Sequence, residues 1–434
     1  MATSSIQKAF ILAGGRNTRM GHLAPKALLP VVNRPNVRRV MEKLHDNGVG
    51  EFYVASHRGR VLDAAQEGRN PSARSIHPYL EPYPTGTVTA TKACAGLFHF
   101  SRRDPFFVVA ADISHPTMNF RKFAQAFDEA RDSYPKLAGA VAFLIRPYDE
   151  VIGRYPVAIV NEDNLIERLV ERPETPQQAY RIFRQIKARA VIEASEKVGV
   201  PCLPVYGSYW LLLQKIFDLV PMPADMKGED YGRHMFKKMP PEKMFAYFIV
   251  EAVRRGLPRV KKEWIDMATP TDFWLANWLF LKTSPQRISG NYNHQDNLRF
   301  GRNIVIHPDA EVKDSVLGDN ITIEAGCRIA NCVIGSNTLL SGVDIRRTII
   351  FGNTHLPRSV GQIEDSILGG YVPLILDKDL SFIRISGKLI VRLPDGKIIV
   401  DPLEIRPGES DLAVDCFKKL KFSLASDDNQ MDSK

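Results

Sequence analysis

Short apolar runs alternate with stretches of helical periodicity through the first 283 residues. Seven runs are short and rich in branched or aromatic residues, as expected of strands: 9–12, 51–55, 106–111, 138–144, 157–160, 209–213 and 245–250. Five longer stretches carry apolar residues at helical spacing: 36–47, 87–99, 120–131, 176–197 and 271–281. The alternation predicts an α/β domain at 1–283, with a Rossmann-like, mostly parallel sheet covered by helices on both faces.

The pattern changes near residue 285, where a polar stretch at 284–299 predicts a linker. An apolar residue followed by glycine then recurs every 17 residues, as Leu317-Gly318, Ile334-Gly335, Phe351-Gly352 and Leu368-Gly369. Apolar residues between these pairs fall roughly every six positions, which is typical of a parallel β-helix. We predict a β-helix at 300–374, with an antiparallel β domain as the alternative. A β extension at 375–422 and a disordered tail at 423–434 would follow.

Composition narrows the class of partner. The 434 residues include 58 Lys and Arg against 49 Asp and Glu, a formal net charge of +9. These basic residues are spread along the chain, which favours phosphorylated small molecules over nucleic acid. The five cysteines form no CxxC motif, and a sparse, odd set predicts free thiols in a reducing compartment. With no apolar run of about 18 residues and no signal-peptide pattern, we expect a cytoplasmic protein that binds neither membranes nor nucleic acid.

The first predicted strand runs into a glycine turn that is followed by basic residues. Gly14 and Gly15 come directly after the apolar run, and Arg16, Arg19 and Lys26 follow. Glycines let backbone N–H groups approach phosphate oxygens closely, while Arg and Lys supply the charge that a polyphosphate needs. A loop after the first strand is the usual place for a nucleotide in an open α/β sheet. The segment therefore predicts nucleotide binding.

The continuation of this loop and four later segments resemble one family. Arg19-Met20, Pro25-Lys26 and Leu28 stand at the spacing of sugar-1-phosphate nucleotidyltransferases, closest to the N-acetylglucosamine-1-phosphate uridylyltransferase branch. The later segments follow in the family's order: Pro84-Thr85-Gly86-Thr87, Asp112 at the end of an apolar run, Val170-Glu171-Arg172-Pro173, and Trp264-Ile265-Asp266-Met267-Ala268-Thr269-Pro270. The resemblance covers residues 6–282. The repeat that follows is similar to the left-handed β-helix of hexapeptide repeats that forms the second domain of many members.

This resemblance implies an enzyme that transfers a nucleoside monophosphate from a nucleoside triphosphate to a sugar 1-phosphate, giving a nucleoside-diphosphate sugar and pyrophosphate. It implies Mg²⁺ bound by Asp112 and Asp266, with Arg19 and Lys26 as catalytic cations. The nucleotide would contact Leu12, Ala13, Gly14, Gly15, Asn17, Thr18, Glu81, Gly86 and Thr87. The sugar phosphate would contact Glu171, Arg172 and Gly207. Taken singly, each acid has a structural alternative, because Asp112 can cap a turn and Asp266 can be a surface acid before a helix.

Four positions depart from the family's pattern, and three of them lie on the sugar side. Asn17 replaces the third glycine of the loop, and Pro156 replaces a glycine whose N–H could meet a sugar hydroxyl. Arg172 replaces a lysine, and Val205 replaces the sugar-contacting asparagine. Either the sugar phosphate is unusual, or the protein is a non-catalytic regulatory or scaffolding paralogue that senses a nucleotide or nucleotide sugar. The retained acids and cations favour the enzyme.

Three further features carry expectations of their own. Glu81 offers a carboxylate, which only accepts hydrogen bonds and suits the N–H donors of guanine; a solvated loop acid is the alternative. The polar stretch 174–201 predicts an added helix, either a lid over the sugar side or a solvated helix without a role. The β-helix predicts a homo-oligomer. Acyl transfer is disfavoured, because the helix is short and holds only His307 and His355 as candidate catalytic histidines.

Overall fold

The computed structural model describes most of the chain: residues 6–15, 20, 23, 25–67, 75–82, 86–100, 104–114, 118–170, 172–219, 239–249, 265–283, 290–293, 295–369, 374–375, 384–392, 397–405, 409–411 and 414. The chain divides into two compact units. The first comprises Met1–Arg16, Val37–Ala111 and Met118–Leu257; the second comprises Asn17–Asn36, Asp112–Thr117 and Pro258–Lys434. The segment after the glycine turn and the segment with Asp112 thus belong with the C-terminal part. The predicted tail at 423–434 lies outside the described residues.

Four of the five predicted helices are found, with small shifts at their ends. The helices of the described residues are α1 Asn36–Asp46, α2 Gly59–Gln66, α3 Thr87–Leu97, α4 Phe120–Ser133, α5 Tyr148–Val151, α6 Pro176–Phe183, α7 Arg189–Val198, α8 Ile216–Leu219 and α9 Pro270–Thr283. Not one helix in this described part combines the length and the apolar character needed to span a membrane.

The predicted single helix at 176–197 is wrong, because the chain forms α6 and α7 with a break between them. The side chain of Thr175 caps α6 by accepting a hydrogen bond from the Gln178 N–H at 3.3 Å. Beyond α6, the N–H groups of Lys187 and Ala188 donate to the Val160 carbonyl, at 2.9 and 3.3 Å. These bonds replace the helical pattern, so continuous periodicity could not locate the break.

The strands fall into two sets, before and within the repeat region. The first set is β1 Lys8–Leu12, β2 Pro30–Val31, β3 Arg34–Pro35, β4 Glu51–Ser56, β5 Ser75–Leu80, β6 Phe106–Ala110, β7 Ile113–Ser114, β8 Gly139–Pro147, β9 Val157–Val160, β10 Ile166–Val170, β11 Cys202–Leu212, β12 Met244–Ile249 and β13 Ile265–Asp266. The second set is β14 Asn291–Asn293, β15 Leu298–Phe300, β16 Ile304–Ile306, β17 Glu311–Leu317, β18 Ile321–Ile323, β19 Arg328–Ile334, β20 Thr338–Leu340, β21 Asp344–Arg346, β22 Ile349–Ile350, β23 Thr354–Leu356, β24 Gln362–Glu364, β25 Ile367–Leu368, β26 Leu374–Ile375, β27 Arg384–Ser386, β28 Lys388–Arg392 and β29 Ile398–Pro402.

The first unit is built on a mixed sheet with the order β10-β9-β11-β6-β1-β4-β5, in which β8 also pairs with β11 and β12 pairs with β8. β1 lies between β4 and β6 and is parallel to both, and β5 is parallel to β4. β11 runs antiparallel to β6, β8 and β9. The parallel part is therefore the half around β1, whose residues Phe10 and Ile11 are fully buried. Its carboxyl end meets those of β4 and β5 at one edge, where open α/β sheets bind ligands.

The second unit contains a stack of short parallel strands with a 17-residue register. Ile304 of β16 pairs with Ile321 of β18, which pairs with Thr338 of β20. Other parallel ladders run β15-β17-β19-β22-β25 and β21-β24-β27. These ladders are consistent with the predicted β-helix, and its left hand stays a prediction. Strands β14 and β15 occupy part of the stretch for which a linker is expected.

Asparagines with positive φ stand at one corner of successive turns of the stack. Asn303, Asn320, Asn337 and Asn353 have φ values of 57°, 55°, 59° and 58°. The first three each donate a side-chain N–H to the Oδ1 of the next asparagine, at 2.8, 2.9 and 3.1 Å. Asparagine adopts positive φ more readily than most residues. The same residue type therefore forms the corner and joins each turn to the next.

Asn337→Ala should lower the stability of the stack by about 1–2 kcal/mol, because alanine is strained at positive φ and two amide hydrogen bonds are lost. Asn337→Gly is the matched control: it loses the same bonds but adopts this backbone freely, so it should cost less. Thermal unfolding and amide hydrogen exchange in β18, β20 and β23 measure both losses. Equal destabilisation by the two variants would contradict the role given to the backbone.

A second set of small residues, buried inside the stack, lies two or three positions before the apolar-glycine pairs: Ser315, Cys332, Thr348 and Ser366. Ser315 Oγ accepts the N–H of Cys332 at 3.1 Å, and Ser366 Oγ accepts the N–H of Lys388 at 3.3 Å.

Burial raises the pKa of Cys332 to about 12. Of the described cysteines, all four are free and buried: Cys94, Cys202, Cys327 and Cys332. A thiol such as Cys332 therefore stays protonated near neutral pH.

Candidate functional site

The loop that follows β1 brings Gly14 against two polar side chains of the first unit. A β-carbon at this position would collide with Oε2 of Glu81 and lie 3.7 Å from Nδ1 of His57. His57 follows β4 and Glu81 follows β5, and these strands run parallel to β1 and end at the same edge. A side chain at position 14 would therefore force the Glu81 carboxylate to move, and it would also occupy the space in which a phosphate could approach the loop.

Glu81 is a buried carboxylate, with 4% of its surface exposed. Its own N–H donates to the Ser56 carbonyl at 2.9 Å. Beside it, Arg58 Nε donates to His57 Nε2 at 3.0 Å. Burial and the Arg58 charge lower the pKa of His57, and the Glu81 charge opposes that shift. The imidazole is therefore neutral near pH 7, beside a carboxylate acceptor at the edge of the glycine loop.

His57 lies beside the glycine loop, and the sequence analysis did not select it as a candidate site residue. A lone histidine after a strand carries no motif spacing, so residue type alone could not distinguish it from a surface residue. The usable signal was positional, because His57 directly follows the strand that pairs with β1. Side chains after neighbouring parallel strands meet at one edge of a sheet.

Gly86 and Thr87 mark the start of α3, where the sequence predicts a nucleobase loop. Gly86 has a φ of 94°, and its carbonyl accepts the N–H of Ala90 at 3.0 Å. Glycine adopts such a backbone without strain, whereas residues with a β-carbon do not. The first amides of a helix favour an anion or a carbonyl oxygen. The neighbouring Pro84 and Thr85 lie outside the described residues.

In the second unit, the ammonium group of Lys26 lies between the two predicted metal-binding acids. Lys26 Nζ is 3.1 Å from Asp112 Oδ2 and 3.8 Å from Asp266 Oδ1. The lysine side chain is 9% exposed, against 39% for Asp112 and 25% for Asp266. The structure thus brings together three predicted site residues from three distant parts of the chain, and the acids face outward enough to meet a ligand.

Short, local elements hold this triad in place. Pro25 leads into a 3₁₀ turn at Lys26–Leu28, in which the Leu28 N–H donates to the Pro25 carbonyl at 2.7 Å. The two acids meet because β7 and β13 pair antiparallel, with Asp266 opposite Ile113. The Met267 N–H extends this pairing by donating to the Asp112 carbonyl at 3.2 Å. Backbone hydrogen bonds therefore set the separation of the carboxylates.

The two carboxylates of this triad, Asp112 and Asp266, suit a hard divalent cation. Mg²⁺ commonly binds through one or two carboxylates and completes its shell with water and substrate phosphates. Both carboxylates lie within 4 Å of the Lys26 ammonium nitrogen, so their negative charges face a common region. Within the described ranges, no three His, Cys, Asp or Glu side chains are grouped to hold a metal ion. Asp112 and Asp266 are the residues that would hold such a cation.

The remaining predicted site residues are placed as follows. Leu12, Ala13 and Gly15 surround Gly14 at the end of β1, and Gly15 is exposed. Arg172 is exposed after β10. Four predicted residues lie outside the described residues: Asn17, Thr18, Arg19 and Glu171.

On the predicted sugar side, Gly207 lies in β11 where the pairing with β8 shifts register between Tyr206 and Trp210. A β-carbon on Gly207 would lie 2.9 Å from the Ala142 carbonyl oxygen, so the two strands pack too closely for a side chain. The next residue, Ser208, has a φ of 57°. A β-bulge of this kind re-aims side chains and is common beside active sites.

Comparison with known proteins agrees with the resemblance seen in the sequence. Residues 9–199 match the family described as the MobA-like NTP transferase domain. Mannose-1-phosphate guanyltransferase 2 of Candida glabrata is 26% identical over 69% of this chain and 70% of its own length. A probable mannose-1-phosphate guanylyltransferase 3 of Oryza sativa subsp. japonica is 24% identical over 80% of this chain and 85% of its own.

A third relative extends the likeness through most of the C-terminal part. Glucose-1-phosphate adenylyltransferase of Dechloromonas aromatica is 22% identical over 92% of this chain and 87% of its own length. The named relatives differ in base and sugar but share one reaction type. With its NTP transferase match at residues 9–199, the chain is similar to sugar-1-phosphate nucleotidyltransferases.

Proposed function

We propose that this protein transfers a nucleoside monophosphate from a nucleoside triphosphate to a sugar 1-phosphate, releasing pyrophosphate. The relatives whose names describe guanylyl, adenylyl and uridylyl transfer to sugar 1-phosphates support this reaction class. The observation that carries the proposal is the triad: Lys26 Nζ lies within 4 Å of a carboxylate oxygen of both Asp112 and Asp266. A non-catalytic paralogue would have no chemical need to keep such a cation site.

The chemistry asks the protein mainly to neutralise and align anions. An oxygen of the sugar phosphate bonds to the α-phosphorus, the bond from that phosphorus to the bridging β-phosphate oxygen breaks, and pyrophosphate leaves. The attacking phosphate is already ionised near neutral pH, so no general base is required. Asp112 and Asp266 would hold Mg²⁺, which would supply charge neutralisation for the reacting phosphates. Lys26 would place a positive charge on the reacting phosphates, as lysine does in other phosphate sites.

The direct experiment is pyrophosphate release measured over a panel of four nucleoside triphosphates and several hexose and amino-sugar 1-phosphates. We expect turnover with at least one pair, and a requirement for a divalent cation. Nucleotide binding without pyrophosphate release for any pair would instead support the regulatory alternative. Equilibrium binding of each triphosphate, measured in parallel, separates these two outcomes.

Within this reaction we propose guanine as the preferred base. Glu81 is buried beside Gly14 and presents a carboxylate, which accepts two hydrogen bonds and donates none. Guanine offers two neighbouring donors, N1–H and N2–H₂, that pair with such an acceptor. The guanylyltransferase names of two relatives agree with this choice.

Glu81→Gln should lower the preference for GTP over the other triphosphates about tenfold or more, because the amide retains one acceptor and replaces the other with a donor. The measurement is kcat/KM for each triphosphate with a fixed sugar 1-phosphate. Glu67→Gln is the matched control, since Glu67 is an exposed glutamate at the end of α2. An unchanged base preference in Glu81→Gln would remove Glu81 from base selection.

The sugar subsite differs from the family's pattern in polarity. Val205 is fully buried in β11 and pairs with Val157 of β9, so it offers no side-chain hydrogen bond to a sugar. The Pro156 carbonyl accepts the N–H of Tyr206 at 3.3 Å. We propose that these residues favour a sugar with fewer hydrogen-bonding groups on this side. We also propose that α6 and α7 form a lid over the sugar side. Self-association through the strand stack remains a prediction as well.

A further inference from the structure

A tight hairpin follows the Lys26 turn and has an unusual backbone. β2 and β3 pair antiparallel, with Val31 opposite Arg34, and leave Val32 and Asn33 as a two-residue turn. Both turn residues have positive φ, 46° and 61°, which is the pattern of a type I′ turn. Asparagine suits such a position, but a β-branched valine is strained there. The turn therefore needs contacts from outside the hairpin to hold it.

The strained residue is held by an asparagine buried in α9. The Val32 N–H donates to Asn277 Oδ1 at 2.7 Å. Asn277 is fully buried in a helix whose neighbouring side chains are mostly apolar, and its amide N–H donates to the Phe273 carbonyl at 3.0 Å. A buried amide that hydrogen-bonds through both its oxygen and its nitrogen favours one geometry, and its loss leaves the partner N–H unsatisfied. Asn277 thus fixes one side of the turn.

The second turn residue fixes the hairpin to the strand stack. Asn33 Nδ2 donates to the Ile334 carbonyl in β19 at 2.9 Å. Close by in the same packing, Trp274 Nε1 of α9 donates to the Arg347 carbonyl at 3.2 Å. The hairpin, α9 and one face of the stack also share an apolar core, which includes Leu29, Val31, Val32, Trp274, Trp278, Val333 and Phe351. All of these residues belong to the second unit.

The backbone between this hairpin and Lys26 is short and internally bonded. The Leu29 N–H donates to the Lys26 carbonyl at 3.2 Å, and the Leu29 carbonyl accepts the Val31 and Asn36 N–H groups, each at 3.0 Å. A shift of the hairpin would therefore move the Lys26 turn with it. We propose that Asn33 and Asn277 are positioning residues, which use the strand stack and α9 to hold the Lys26 ammonium between Asp112 and Asp266. The catalytic consequence rests on the proposed function.

The test measures the accessibility of the Lys26 ammonium by chemical labelling and measures turnover in a separate assay. Reductive methylation with formaldehyde, followed by mass spectrometry, gives the labelling rate of Lys26 relative to exposed Lys122 in the same molecule. Asn33→Gly keeps positive φ without strain and removes only the bond to Ile334. We expect its Lys26 labelling rate to rise about fivefold, the population change that one ordinary hydrogen bond controls. In the kinetic assay, kcat should fall while the KM for the triphosphate stays near the wild-type value.

Asn303→Gly is the matched control, because it also removes an asparagine amide at positive φ in the second unit, on an exposed corner of the stack. It should leave Lys26 labelling unchanged. Asn33→Asp is a second, isosteric variant that removes the donor if glycine disturbs folding. Wild-type Lys26 labelling in both Asn33 variants would overturn the proposal. Labelling needs no turnover, so a rise without detectable pyrophosphate release would support the positioning role and count against the proposed function alone.

Discussion

Asp112→Asn is expected to lower the rate of pyrophosphate release by on the order of 10³-fold. Asparagine keeps the shape of the side chain, so the pairing of β7 with β13 that places Asp266 is retained. What is lost is the negative charge of Asp112, whose Oδ2 lies 3.1 Å from Lys26 Nζ. A divalent cation between phosphates and protein depends on that charge, and each 1.36 kcal/mol of lost transition-state stabilisation lowers the rate about tenfold.

The measurement is the initial rate with the best substrate pair of the panel, at several Mg²⁺ concentrations. Asp63→Asn serves as the control, because Asp63 is an exposed acid on α2. It should behave as wild type at every Mg²⁺ concentration. Wild-type rates in Asp112→Asn would show that the carboxylate has a structural role, such as capping the turn after β6.

Lys26→Gln is expected to lower kcat about 10²-fold or more. The ammonium side chain is 9% exposed and lies within 4 Å of both acids, and the neutral amide of glutamine offers the phosphates no positive charge. Removing it also takes away the positive charge that lies against both the Asp112 and the Asp266 carboxylate. Like charges at short range attract a metal more strongly, so the variant should reach its lower maximal rate at a lower Mg²⁺ concentration than wild type.

Two further variants show whether the loss in Lys26→Gln comes from the charge at position 26. Lys26→Arg keeps the charge in a larger, planar group and should recover part of the lost rate. Lys122→Gln removes an exposed lysine of α4 and should have no effect. An unchanged kcat in Lys26→Gln would mean that the lysine acts only as an ion-pair partner of the two acids.

The strands beside the glycine loop were predictable where their own apolar residues indicate a buried strand. β1, β4 and β6 are continuous apolar runs in the middle of a sheet, and their pattern identifies them directly. β5 is different: it is an edge strand with Pro78 in it and is only partly buried. Edge strands tolerate proline and polar residues, so its pattern does not predict it. The 17-residue repeat was predictable because every turn of the stack reuses the same corner residues.

The triad was predictable as a set of residue types and not as a geometry. Asp112 could be chosen because it ends an apolar run, and Asp266 because it lies in the segment Trp264–Pro270 that resembles a family motif. Their approach depends on the two-residue strands β7 and β13, which are too short to leave a periodic signal. The contact of Lys26 with both acids depends on the same pairing. The role of Asn277 could not be predicted, because a single asparagine within an apolar helix has no sequence pattern that identifies its hydrogen-bond partner.

The most direct test of the central claim, that Asp112 and Asp266 hold one divalent cation for nucleotidyl transfer, is a double-mutant cycle. The rate of Mg²⁺-dependent pyrophosphate release is measured for wild type, Asp112→Asn, Asp266→Asn and the double variant. Ligands of one ion act as a unit, so we predict that the double variant loses no more than the worse single variant. Losses that multiply in the double variant, or turnover that persists without a divalent cation, would contradict the account.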